Sequence, residues 1–337
     1  MTNLPSDMTD DPTSDFADVL RQELLPIFRE TRDEARSRGA RARLISRGIL
    51  AVGGAVALGL AILHPFEDEG ARWVVPVFVL AAAGILSAVV RHQTRSNFNR
   101  RIKDRVVPIL ARQLGITDFR ARPDPAYLAL HALHDLRILP FFTEIDIEDG
   151  MSGRWREVGY RLAEVRLRRR RPGDRKDQGD KYELVFKGLA MEVETPVDMP
   201  WTLFEVSPAG FLGRVQDATL SARGLQPVHY GDGSGQADAP FRVYSEDPAA
   251  ARAQLPAIFL QTLARIAAQQ GQEPRRIEAG FRGRTFYLCL RRKEEFLEVD
   301  AFDTTEDQFT ANCRDALEDM ALPRRIIDLL IDGPDAG

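Results

Sequence analysis

Two uncharged apolar runs, Gly48 to Phe66 and Trp73 to Val90, constrain this chain more than any other feature. Between them stand Glu67, Asp68, Glu69, Gly70, Ala71 and Arg72. A hydrocarbon core about 30 Å thick takes roughly twenty helical residues to cross, and each run is of about that length. Helices of soluble proteins keep a polar face, and neither run has one. A long hydrophilic stretch precedes the first run, which argues against a cleaved secretory signal. The reading is two transmembrane helices, 48–66 and 73–90, joined by an external loop, 67–72.

Charge orients this hairpin. Arg36, Arg38, Arg41, Arg43 and Arg47 precede the first run, and Arg91, Arg95, Arg100, Arg101, Lys103 and Arg105 follow the second. The connection offers Arg72 alone against three acids. Short flanks rich in arginine and lysine stay in the cytoplasm, so both termini are expected there. The spans hold no Asp, Glu, Lys, Arg, Asn or Gln, and their one histidine, His64, stands near the outer end of the first, whereas transport pathways place ionisable residues within the membrane. An anchor is therefore expected. Ala51, Ala55 and Gly59, with Gly84 and Ala88, form the small-residue stripes expected to bring the two helices together.

Outside the spans the chain divides by pattern. Residues 1–14 are polar and acidic and read as a disordered tail. A cytoplasmic helix is expected over 15–47, with Phe16, Val19, Leu20, Leu24, Ile27 and Phe28 on one side, and a helical stalk over 91–118. From 119 to 225 alternation of apolar and polar residues predicts a strand-rich domain. WREVGYRLAEVRLR and KYELVFKGLAMEVET read as a long hairpin, and WTLFEV as a further strand. Residues 226–240 read as a linker. Residues 241–332 read as an α+β cytoplasmic domain or a continuation of the preceding one. There FRVYS is a strand, and a helix opens on Asp247 as N-cap with Pro248 at its first position. RIEAGFRGRTFYLCLRR reads as a second hairpin turning near Gly280 and Gly283. The last part, from Thr305 to Ile331, reads as helix. The fold class is α+β: a two-span helical hairpin, a helical stalk, and a mixed, mainly antiparallel cytoplasmic region. Cys289 and Cys313, the only cysteines, are expected as reduced, buried thiols.

The chemistry-bearing motifs are sparse. The sequence has no phosphate-binding loop, no strand–GxGxxG–helix unit, no GxSxG elbow and no HExxH. His131, His134 and Asp135 share a short helical stretch but lack a third metal ligand of known position, so no metal site is expected. Asp146, Glu148 and Asp149 are paired carboxylates that also suit the end of a strand. No catalytic residue, metal or cofactor follows from these. The sharpest charged feature is RLRRRRPGDRKDQGDK, from Arg166 to Lys181. Its interspersed Asp174, Asp177 and Asp180 favour a solvated hairpin tip; beside that reading its arginines Arg166, Arg168, Arg169, Arg170 and Arg171, together with Arg91, Arg95, Arg100 and Arg101, are the candidate contacts to anionic lipid or a partner. No interleaved aromatics suit base stacking, and nucleic acid is not an expected partner.

EDGMSGRWREVGYRLAEVRL, YELVFKGLAMEVET and FRVYSEDPAAARAQL resemble successive blocks of a bacterial membrane family known as domain of unknown function 3137. Its acid–glycine turn, VF-x-GL strand and VYS-x-D junction fall here at Asp149 to Gly153, Val185 to Leu189 and Val243 to Asp247. The resemblance runs from about Phe16 onward. It implies a bacterial inner-membrane protein and supplies no catalytic residues. The expectation is a membrane-anchored module that binds a protein partner, or itself, at the inner face of the membrane. Two alternatives stand beside it: a membrane-tethered enzyme using the carboxylates or histidines of the strand-rich domain, and a sensor of anionic lipid surfaces.

Overall fold

A computed structural model describes residues 12–63, 69–172, 180–205, 218–230, 241–269, 277–293, 295–297, 299–302 and 304–332. The chain forms two units, Met1–Ile109 with Glu298–Arg314, and Leu110–Leu297 with Asp315–Gly337. The fold is mixed helix and antiparallel sheet, as the patterning predicts.

The first unit is built on two long helices. Helix α1 (Pro12–Val19) passes through a π-helical turn, Leu20–Leu24, into α2 (Leu25–Leu63), and α3 (Glu69–Gln113) follows. Leu24, Phe28, Phe98, Ile102 and Val106 are almost fully buried. Their four-residue spacing gives each helix one apolar stripe to bury. Alongside the stripe, Arg105 pairs with Glu30 at 2.8 Å. Farther along, both helices are long and apolar enough to cross a membrane. Here Val52, Leu58, Ile62, Val77, Phe78 and Ile85 are each more than 60% exposed.

The helix seam differs from the expected stripes. Gly53 faces Ala83 so closely that a Cβ on Gly53 would lie 2.5 Å from the Ala83 Cβ. Ala57 is buried, and the Ser46 and Ser87 hydroxyls hydrogen-bond to each other. Ala51 and Ala55 face outward, and Gly59 and Gly84 would have no neighbour within 4 Å of an added Cβ. The phase is inherited from the large apolar residues outside the spans. Gly39, Ser46 and Gly53 recur at the seven-residue interval that a paired-helix seam requires, and the alternative stripe lies off that line.

Residues 299–314 complete this unit. Phe309 stacks on Phe28 with ring centroids 4.6 Å apart, and Phe302 meets Phe98 edge-on at 5.6 Å. Asp300 accepts a hydrogen bond from the Asn99 amide at 2.9 Å and pairs with Arg95, and Arg29 pairs with Glu306 at 2.8 Å.

The second unit is a seven-stranded antiparallel sheet: β1 (Ile116–Arg120), β2 (Glu144–Trp155), β3 (Val158–Arg171), β4 (Lys181–Glu205), β5 (Gln226–Pro227), β6 (Arg242–Ser245) and β7 (Ile277–Arg291). Its order is β1-β2-β3-β4-β6-β5, and β7 runs along β4 as well. β4 is long enough to pair with β3 over its first half and β6 at its end, while β7 follows its other side. The described part of WTLFEV, residues 201–205, therefore continues β4 instead of forming a separate strand. Asp149 to Gly153 lies within β2. The expected turn there is an irregularity in the pairing, between Glu148 and Met151, with Asp149 at φ 52°. The chain reverses instead at Arg156 and Glu157, both at positive φ, between the paired residues Trp155 and Val158. A two-residue loop with both residues at positive φ matches a type I′ hairpin turn.

β7 is also one strand where the sequence suggested a hairpin. A Cβ on Gly280 would come 2.6 Å from the Thr202 carbonyl, and Gly283 sits at φ +58° where the β4–β7 register shifts. Gly280 serves a close backbone approach, Gly283 supplies the left-handed position at the register shift, and neither makes a reversal. The helix after Asp247 divides into α5 (Pro248–Gln254) and α6 (Ala257–Gln269), because Pro256 has no N–H to donate. Asp247 is the N-cap, accepting from the Ala250 amide at 3.0 Å. The C-terminal region forms α7 (Glu306–Met320) and α8 (Leu322–Asp332).

One face of the sheet packs Ile147, Ala163, Val165, Phe186 and Cys289 against the helix α4 (Leu130–Asp135) and its flanks. On the alternate positions Phe204, Phe281 and Phe286 gather around Phe259 of α6. Both cysteines are free and buried, as expected.

Candidate functional site

The arginines singled out from the sequence separate into three settings. Arg166 points from β3 into carboxylates, 3.3 Å from Glu148, 3.3 Å from Glu295, 3.5 Å from Glu164 and 3.8 Å from Asp146. Arg168 pairs with Glu144, Arg169 and Arg171 with Glu183, and Arg170 with Asp180. The described part of the basic tract is thus a cross-strand ladder of opposite charges, as strands favour. Its tip, residues 173–179, lies outside the described residues. Arg91 and Arg95 project from α3 into a cavity of the first unit. Arg101 lies 3.9 Å from Glu34, and Arg100 is exposed on α3.

The sequence's other candidates take structural roles. His131 and His134 both lie against Phe142, with ring centroids 5.1 and 6.2 Å away. His134 Nδ1 is 3.2 Å from the Leu139 carbonyl. Asp146 and Glu148 face Arg166, and Asp149 is buried where β2 bulges. No cluster of three metal-ligating side chains forms among the described residues.

A second candidate site joins residues that no motif connects. A cavity of about 660 Å³ in the second unit is lined by His134, Arg137, Glu205, Arg223, Glu278 and Arg291, among others. Glu205 ends β4 and Glu278 nearly begins β7, each one step beyond the paired residues Phe204 and Ala279. Arg291 donates to Glu278 Oε1 through Nη2 at 2.7 Å and through Nε at 3.0 Å. Its Nη1 is held by the Val185 carbonyl at 2.8 Å, and its guanidinium lies 5.1 Å from the Phe186 ring centroid. Glu278 Oε2 is covered and has no hydrogen-bond partner among the described residues.

Both carboxyls are held above their usual range. Burial pushes Glu278 up against the opposing pull of Arg291, and burial pushes Glu205 up against Arg137. Perturbed carboxyls beside fixed cations in a cavity are a common mark of binding and catalytic sites. A protonated carboxyl donates a hydrogen bond and an ionised one accepts, so the pair can take hydroxyl or amino groups of a polar ligand, while Arg137 and Arg223 offer donors to an anionic one. Sequence reasoning reached His134 and Asp135 only. Glu205 and Glu278 come together through strand register, and neither stretch carries a local signal of that pairing.

The segment Val185–Leu189 lies in β4, and Val243–Asp247 carries β6 into the capped start of α5. The family model described as protein of unknown function (DUF3137) matches residues 185–331. The resemblance read from the sequence is thereby borne out over β4 to α8. The DUF3137 stretch contains Glu205, Arg223, Glu278 and Arg291 of the cavity, while His134 and Arg137 precede it. No curated protein matches the chain. Among solved structures, the crystal structure of the mycobacterial trehalose monomycolate transport factor A, TtfA, is similar at 11% identity and a TM-score of 0.32. That similarity covers 68% of this chain and 94% of the other, and at this level it carries no argument.

Proposed function

We propose that this protein is a membrane-anchored interaction module of the bacterial inner membrane. α2 and α3 cross the bilayer as a two-span hairpin, with both termini in the cytoplasm, and the sheet-bearing unit binds a protein partner or a second copy at the inner face. The observation that carries the anchor is the outward-facing aliphatic band of Val52, Leu58, Ile62, Val77, Phe78 and Ile85, which water would leave unburied and lipid covers. The arginine-rich flanks at one end of the band and the acids at the other support the orientation. Partner binding is supported by apolar side chains left half exposed on the second unit, among them Phe141, Tyr182 and Leu184.

Topology is tested with single cysteines placed at Ser6 and Gly337 in a background lacking the native thiols. Membrane-impermeant maleimide is expected to spare both in sealed spheroplasts and to label both after permeabilisation. Labelling of either without permeabilisation overturns the orientation. Partner binding is tested by in-cell cross-linking of the full chain followed by mass spectrometry. A discrete adduct lost in a Tyr182→Ser/Leu184→Ser variant supports it, and absence of any adduct rejects it.

A second reading rests on the Glu205–Glu278 cavity: a polar-ligand or catalytic site carried by the anchored unit. This keeps the enzyme alternative but moves it away from Asp146, Glu148 and His131, whose surroundings are ion pairs and aromatic packing. Replacing both carboxyls, as Glu205→Gln/Glu278→Gln, is expected to abolish function in cells if that reading holds, and to leave it intact if the unit acts only as a docking surface.

A further inference from the structure

The first unit contains a cavity of about 830 Å³ whose walls come from three separate parts of the chain. α2 contributes Gly39, Ala42 and Arg43, α3 contributes Ala88, Arg91, His92 and Arg95, and the returning segment contributes Asp300, Phe302, Gln308 and Asn312 among others. Small residues make the room, since Gly39 and Ala42 keep α2 clear where Phe302 inserts; a Cβ on Gly39 would already lie 3.3 Å from the Phe302 ring. The charge balance is one-sided, with three arginines and a histidine against Asp300. Arg95 pairs with Asp300, and Asp300 is held in turn by Asn99. Arg91 reaches only the Ser87 carbonyl, at 3.4 Å, and no acid among the described residues pairs with Arg43 or Arg91. The cavity lies where the aliphatic band of the helices ends: Leu44 and Ile45, directly after Arg43, are 72% and 54% exposed, and Val89, two residues before Arg91, is also exposed.

We propose that this cavity binds the phosphate headgroup of an anionic glycerophospholipid, with Arg43 and Arg91 on the phosphate and the acyl chains along Leu44, Ile45 and Val89. Guanidinium groups match phosphate oxygens with paired donors, and the adjoining apolar side chains distinguish a lipid from a free anion. Asn312 and Gln308 are placed to meet glycerol or headgroup hydroxyls. The inference rests on the membrane reading above, and it goes beyond diffuse attraction of basic flanks to a charged surface by assigning a built site to two particular arginines.

The test uses the full chain in neutral detergent, with phosphatidylglycerol and phosphatidylcholine titrated and bound lipid counted by native mass spectrometry. Wild type is expected to hold one phosphatidylglycerol in preference to phosphatidylcholine. Arg43→Gln/Arg91→Gln is expected to weaken that binding at least roughly tenfold, about the loss of a single charge-assisted contact. Arg47→Gln/Arg100→Gln removes the same charge from the same flanks outside the cavity and is expected to stay within about twofold. Equal weakening by the two variants, or by neither, overturns the site. Displacement of the lipid by millimolar inorganic phosphate overturns the lipid assignment in favour of a free-anion site. Alkaline carbonate extraction of native membranes is run on every variant. If wild type is extracted, the anchor reading has failed; if all variants stay in the membrane, the lipid result stands on its own.

Discussion

Gly188, the glycine of the VF-x-GL motif, offers a sharp test of the sheet. It pairs with Val165 on β3 and with Arg291 on β7. A Cβ built on it would lie 1.9 Å from the Leu290 carbonyl oxygen and 2.8 Å from its carbon. These are backbone atoms that no rotamer change can move. To accept an alanine, β7 must retreat by about 1 Å or more at Leu290, which costs about 1–3 kcal/mol as overpacking in a formed core. A ladder hydrogen bond stretched by that amount is lost, at about 1 kcal/mol. Against this, alanine restricts the unfolded chain and returns roughly 0.4–1 kcal/mol. The net expectation for Gly188→Ala is a loss of about 1–3.5 kcal/mol. For a unit of this size, that lowers the thermal midpoint by roughly 2–14 °C. The assay is thermal unfolding of the full chain in detergent, followed by the fluorescence of Trp155 and Trp201, both in this unit. An unchanged or raised midpoint would refute the reading, because the contact with Leu290 and the φ of +157° at Gly188 both oppose a side chain there.

Three further outcomes follow from local geometry. Glu157 occupies a left-handed position of a two-residue hairpin at φ 64°, so Glu157→Gly is expected to stabilise the unit by about 1 kcal/mol, and a fall in the thermal midpoint rejects the turn assignment. Burial pushes the Cys313 thiol up to about 12 and raises Cys289 well above its usual range; neither is expected to react with a disulfide reagent at pH 8 until the chain is unfolded, and stoichiometric labelling of the native protein contradicts their burial. Because burial raises Glu278, the folded state keeps its proton at pH values where the unfolded chain has lost it. Stability is therefore present below the ordinary carboxylate pKa and is lost as pH rises through the raised one. Denaturation midpoints measured upward from pH 4.5 are expected to fall less steeply for Glu278→Gln than for wild type, and parallel curves remove the effect.

The parts of the fold that were legible in the sequence are those set by neighbours along the chain. The apolar runs, the alternation in β3 and the Asp247 cap each depend on residues within a few positions of one another. What was not legible depends on distant partners. Gly280 and Gly283 look like turn residues, and only the carbonyl of Thr202, far upstream, explains Gly280 as a place of close approach. Ala51, Ala55 and Gly59 form a stripe as good as the true seam, and the choice was made by bulky residues such as Phe28 and Phe98 outside the spans. The arginines of the basic tract look available until cross-strand register brings Glu144, Asp180 and Glu183 beside them. Glu205 and Glu278 are ordinary strand-end acids whose shared cavity exists only through β4–β7 pairing.

The return of residues 299–314 to the helices bears directly on how the protein can be cut. A fragment beginning at Phe119 keeps these residues and removes the whole of α2 and α3, which bury them. Phe309, fully buried against Phe28, then loses its stacking partner, and Phe302 and Asp300 lose Phe98, Asn99 and Arg95. Uncovering one large apolar side chain forfeits about 1.5–3 kcal/mol of burial, and here the ion pairs go with it. Residues 299–314 are therefore expected to be cut readily by chymotrypsin at Phe302 or Phe309 in such a fragment, and to resist in the full chain at equal protease. Equal resistance in both would mean that the segment is held by something other than the two helices. If the expected difference is seen, the helix pair is part of the folded core of this region as well as its proposed anchor, and interaction experiments on a piece lacking the helices would probe a surface that the intact protein keeps covered.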